Sequence, residues 1–213
     1  MRARLVLLML LALGSAATGR ERSLAGVYRL VGEQDVASRL ALRPDGHFDY
    51  FLIAGALDEQ AQGRWSVADG VVTLATEPKP VPPAFTREPS SSTDAAVLTV
   101  KVSWPDGRGI ALVDLKTGFD EGEPVHGYTQ EDGWTLPMDE RRTPRWIELK
   151  LPMHEFTSPR FPIDLAAGNA LAFILSPNDL GRLDFEGVKV EVARRALIVE
   201  RGGGRLRYEK VRE

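Results

Sequence analysis

Apolar and polar residues alternate with a period of two through most of this chain, and the turns that interrupt the alternation decide which residues face one another. Around Pro44-Asp45-Gly46, Leu40, Leu42, Phe48, Tyr50 and Leu52 fall on one face of a predicted hairpin. A three-residue loop with proline first and a left-handed glycine last sets Leu42 opposite Phe48 and Leu40 opposite Tyr50. Arg43, His47 and Asp49 then share the other face. Asp69-Gly70 as a two-residue turn pairs Val67 with Val72 and Trp65 with Leu74. A three-residue turn there would set Trp65 against Thr73 and mix the faces. Near the carboxyl end, a turn at Arg194-Arg195 pairs Val190 with Val199, and one at Gly202-Gly203 pairs Leu197 with Tyr208. These strands have one dry face and one wet face, with Ile198 the one apolar residue on the wet side.

The middle of the chain carries a second β unit. Pro105-Asp106-Gly107 is expected to pair Val102 with Ile110 and Val100 with Leu112, and Asp132-Gly133 to mark a further hairpin before the strand from Trp146. Residues 77–94 are rich in proline and serine, which suits a crossing rather than a central strand. Five predicted strands precede this crossing, and three or four follow the second Pro-rich stretch near residue 155. The fold class is therefore read as all-β. It is a small up-and-down antiparallel barrel built from the N- and C-terminal segments (20–80 and 160–213), with an inserted β-sandwich-like unit (96–159) after a crossing at 81–95. Closing both ends of the chain into one barrel leaves no exposed edge strand. Two β domains in sequence, divided near residue 95, is the alternative.

The amino terminus adds a compartment. Met1-Arg2-Ala3-Arg4 is basic, Leu5–Leu13 is almost wholly apolar, and Ser15-Ala16-Ala17 offers small residues before Thr18. This reads as a signal peptide over residues 1–17, too short to span a hydrocarbon core of roughly 30 Å. No membrane span is expected in the mature chain. The protein is expected to be exported, periplasmic or secreted, in a Gram-negative bacterium. The 213 residues contain no cysteine, so disulfides, thiolate metal sites and cysteine nucleophiles are excluded. A net charge of −3, with cations spread among carboxylates, argues against a nucleic-acid partner.

"GVYRL" (26–30), "LALRPDGHFDY" (40–50), "GRW" (63–65) and "VVTL" (71–74) resemble the G-x-Y, L-x-L-x-P-D-G-x-F and G-x-W pattern of bacterial lipocalin-like (calycin-type) small barrels. The closing "ALIVERGGGRLRYEK" is similar to their last hairpin. "VKVSWPDGRGIALVDL" and "GYTQEDGWTL" resemble a carboxypeptidase-regulatory-like or transthyretin-like β-sandwich. The resemblance implies a fold and leaves activity open, because such barrels bind ligands, act as inhibitors or serve as structural modules.

Candidate chemistry is sparse. His47 and Asp49 read as a solvated strand face, and Asp58 and Glu59 as loop residues between strands. His126 and His154 stand apart, and Met153 and His154 would diverge on an extended strand, so no metal site is expected. "RGGGR" (201–205) leads into a strand rather than a helix, so it is a turn and not a phosphate cradle. Tyr28, Phe48, Tyr50 and Trp65 point inward if the sheet curls, and they form the one candidate ligand cavity. The expected role is a non-catalytic exported module without a cofactor, contacting an unknown protein or envelope partner. The alternative is a carrier or sensor of a small apolar ligand held in the barrel.

Overall fold

The computed structural model describes residues 23–95 and 97–212; the signal peptide expected over residues 1–17 lies outside them. The chain divides into two compact units, one ending at Pro80 and resuming at Gly181, the other spanning Val81–Leu180. The first unit begins with β1 (Gly26–Val31), β2 (Val36–Leu42), β3 (His47–Ala54), β4 (Leu57–Ala68) and β5 (Val71–Thr76). The second contains β6 (Ala84–Arg87), β7 (Thr99–Ser103), β8 (Asp114–Phe119), β9 (Val125–Tyr128), β10 (Trp134–Thr135) and β11 (Pro144–Leu151). It continues with β12 (Phe156–Thr157), β13 (Phe161–Pro162) and β14 (Ala170–Ser176). The chain then returns to the first unit with β15 (Glu186–Ala193), β16 (Ala196–Arg201) and β17 (Gly204–Lys210).

The eight strands of the first unit close into an antiparallel barrel in the order β1-β17-β16-β15-β5-β4-β3-β2. Its registers are those the turns dictate. Leu42 faces Phe48 and Leu40 faces Tyr50, Trp65 faces Leu74, Val190 faces Val199 and Leu197 faces Tyr208. Gly46 takes φ +83°, the left-handed residue that closes the three-residue loop, and Asp69-Gly70 are both left-handed, as a type I′ turn requires. The inward residues Leu40, Leu42, Phe48, Val72, Leu74, Val190, Leu197 and Tyr208 are buried in one core. Ile198, opposite Glu191 and Arg207 on the outer wall, is buried as well.

In the second unit two sheets share a separate core. One has the order β10-β7-β14-β6; the other has the order β12-β11-β8-β9, with β13 also paired to β11. Val100, Val102, Leu171 and Phe173 from the first sheet pack in one cluster with Leu115, Ile147 and Leu149 from the second. The strand at residues 170–176, read from sequence as part of the barrel, belongs here, where it runs parallel to β7 and antiparallel to β6. The inserted unit therefore extends to 81–180, beyond the expected 96–159, and the expected crossing contributes β6 as a strand at the sheet edge. An edge tolerates flanking prolines because one side of the strand makes no ladder bonds.

Two expected pairings in this unit are corrected. Ile110 does bond to Val102, its N–H donating to the Val102 carbonyl at 2.9 Å, but Val100 faces Trp134 rather than Leu112. Leu112 is left-handed (φ +62°), and its N–H donates to the Thr129 carbonyl. Buried Thr129 fixes this departure: its hydroxyl donates to the Ile110 carbonyl at 2.6 Å and accepts the Val113 N–H at 3.1 Å. Asp132-Gly133 makes a tight turn, yet the strands on either side join different sheets, β9 pairing with β8 and β10 with β7.

Candidate functional site

Tyr28, Phe48, Tyr50 and Trp65 all face the barrel interior and are buried. Alternation along β1, β3 and β4 places them there, as the sequence predicts. Trp65 donates its indole N–H to the Arg43 carbonyl at 2.9 Å, and Tyr28 its hydroxyl to the Leu24 carbonyl at 2.7 Å. Each buried polar tip thus has a partner, as burial demands. Burial raises the Tyr28 pKa above the ordinary tyrosine value.

The rings are packed on a residue the strand pattern does not place inside. Phe185 stacks on Phe48 at 5.9 Å between centroids and meets Tyr50 edge-on at 5.2 Å. Counting back from Val188 and Val190 by twos would send Phe185 outward. A bulge between Glu186 and Val188, with Gly187 at φ +73°, reverses the parity. The segment is held by Thr76, whose hydroxyl donates to the Leu183 carbonyl and accepts the Phe185 N–H, both at 2.9 Å.

A polar network crosses the same interior. Glu59, expected in a loop, lies in β4, where Glu59, Ala61, Gly63 and Trp65 all point inward. It is 6 % exposed. Arg201, at the end of β16, continues the inward series Leu197–Val199 and donates to Glu59 Oε1 at 2.6 Å and to the Tyr50 hydroxyl at 3.2 Å. The Tyr50 and Tyr208 hydroxyls stand 3.5 Å apart, and Tyr208 shares a 2.9 Å hydrogen bond with Ser38. The Ser38 proton goes to the Phe51 carbonyl at 2.5 Å, so Tyr208 is the donor to Ser38.

Burial works against the Arg201 charge. The hydrogen bond to Glu59 and the contact with Tyr50 outweigh it, and the guanidinium pKa stands above its usual value. Burial, reinforced by Tyr50, pushes the Tyr208 hydroxyl well up. Glu59 Oε2 is buried and has no hydrogen-bond partner among the described residues. This arrangement ties β4 to β16 and β3 to β17 across the interior. It presents no nucleophile beside a base.

The remaining sequence candidates are dispersed. Asp49 is ion-paired to Arg43 at 2.6 Å on the outer wall, and His47 lies 3.3 Å from Asp45. The His47 backbone N–H is the main cause of a lowered Asp45 pKa. His126 is exposed on β9. Met153 and His154 sit in a single 3-10 turn (Pro152–His154) rather than on the extended strand expected for them. Among the described residues no three His, Asp or Glu side chains gather as metal ligands, and no helix is long and apolar enough to cross a membrane. Comparison with protein-family models, curated proteins and solved structures found no match to this chain.

Proposed function

We propose that this protein is an exported, non-catalytic module that acts through its surfaces, as an interaction or structural component of the cell envelope. Its barrel is of the lipocalin-like type and its inserted unit of the transthyretin-like or carboxypeptidase-regulatory-like type. The observation that carries the reading is the filling of the barrel around Tyr50. Phe185 packs on Tyr50 and Phe48, the Tyr208 and Tyr50 ring centroids lie 6.4 Å apart, and the Arg201–Glu59 pair crosses beside them. Eight-stranded barrels have room either for their own side chains or for one small ligand, and here aromatic rings take the space. The closed barrel order supports the lipocalin-like assignment.

Native mass spectrometry on protein purified gently from its own compartment tests the reading. The expected result is the bare mass of the processed chain, with protein or envelope partners recovered by cross-linking. A small apolar adduct that disappears in Trp65→Ala or Tyr50→Ala would replace it with the carrier reading.

A further inference from the structure

The end of the barrel opposite the Arg201–Glu59 pair carries an open groove of about 450 Å³. Among the described residues, Arg194, Arg195, Arg207, Lys210 and Arg212 line it, with Glu209 the single carboxylate. The chain as a whole has 27 cationic and 30 acidic side chains, so five against one is a strong local reversal. The topology brings these cations together. The Lys210 N–H donates to the Arg195 carbonyl at 3.1 Å, which sets the Arg194-Arg195 turn beside the strand that ends in Lys210.

Several arginines elsewhere in this unit are ion-paired, and Arg39 lies over the Phe51 ring at 5.4 Å. On the outer wall Arg43 pairs with Asp49 at 2.6 Å, Arg64 with Glu77 at 3.1 Å and Arg205 with Glu191 at 2.6 Å. In the groove, Arg207 pairs with Glu209 at 3.1 Å, while Arg194, Arg195 and Arg212 have no carboxylate partner among the described residues. Lys210 is turned inward: its ammonium donates to the Ser23 carbonyl at 3.0 Å and lies 5.7 Å from the Tyr28 ring centroid. Like charges held together in a concavity repel one another, and an anion placed among them removes that cost. Guanidinium forks bind carboxylates and phosphates alike through paired, charge-assisted hydrogen bonds, and three arginines in one groove suit the higher charge and additional oxygens of a phosphate-type group.

We propose, independently of any envelope role, that this groove binds a phosphate-type oxyanion, with Arg194, Arg195 and Arg212 as its principal contacts. The group is either a soluble phosphate compound or the headgroup of an anionic lipid, and the two sources are separated by experiment. Inorganic pyrophosphate is titrated into isotope-labelled protein while amide signals are followed by NMR, and retention is measured on phosphatidylglycerol and phosphatidylcholine vesicles. The expected result is a saturable shift confined to residues 194–196 and 210–212. It weakens at least about tenfold in Arg194→Gln/Arg195→Gln, through the loss of two charge-assisted contacts. Arg64→Gln/Arg205→Gln removes the same charge elsewhere and should leave the affinity unchanged.

Retention on phosphatidylglycerol vesicles alone, competed by pyrophosphate, assigns the site to a lipid headgroup. The localised shift without vesicle retention assigns it to a soluble oxyanion. Absence of a localised shift in the wild type, or equal weakening by both double variants, overturns the proposal.

Discussion

Glu59 and Arg201 are 142 positions apart in sequence, and each is explicable only through the other. A carboxylate on the inward face of a strand is costly unless a cation reaches it. Arg201 does so from the end of β16 with 27 % of its side chain still in water. Arg201→Met should therefore destabilise the barrel by about 3 kcal/mol, the lower end for breaking a buried pair because the arginine is only partly desolvated. Glu59→Met/Arg201→Met should recover most of that loss, since a matched apolar pair leaves no unpaired charge. Urea denaturation midpoints measure both, and a neutral single variant would show that the pair does not hold the barrel. Alternation back from Trp65 through Gly63 and Ala61 does reach Glu59, so the position was legible. Asp58-Glu59 between two predicted strands reads as a loop, because the strand signal alone does not show that β4 begins as early as Leu57.

At the scale of elements, most barrel hairpins follow from turn chemistry alone. Pro44-Asp45-Gly46, Asp69-Gly70 and Gly202-Gly203 set registers that align apolar residues on one face, and a one-residue slip would expose all of them. Close backbone approach was less legible. A Cβ on Gly63 would lie 2.0 Å from the Ala75 carbonyl oxygen and 2.6 Å from the Glu77 nitrogen, where the chain leaves β5. Gly63→Ala should cost about 3 kcal/mol, because backbone on several sides must move. Gly204→Ala, whose added carbon would meet nothing nearer than 3.6 Å, should be nearly neutral. Thermal unfolding of the two variants side by side separates close approach from a general glycine effect. Misreadings concentrated where strands change partners, at Leu112 and at Asp132-Gly133, since pattern and turn signals stay the same whichever sheet a strand joins.

For the whole molecule, the two cores share no residue, which makes each unit a candidate for independent folding. The chain leaves and rejoins the barrel at neighbouring points: Lys79 reaches Asp184 at 3.2 Å. Within the inserted unit, Val81 and Asp179 are joined by two hydrogen bonds of 2.9 and 3.1 Å. Replacing residues 81–180 by a short Gly/Ser linker between Pro80 and Gly181 should leave a folded barrel, and residues 81–180 alone should fold as the paired sheets. Circular dichroism and dispersed amide NMR spectra of the two pieces check this. Loss of structure in either would mean that the units depend on each other.

By itself the sequence determined the all-β class, the barrel registers and the inward aromatic face, because alternation and turn geometry are local and act on neighbours a few residues apart. Tertiary structure alone decided that residues 170–176 join the inserted unit, that Phe185 fills the space beside Tyr50, and that Arg201 answers Glu59. Each of those outcomes depends on which distant strand supplies a partner, and a period of two is silent about that.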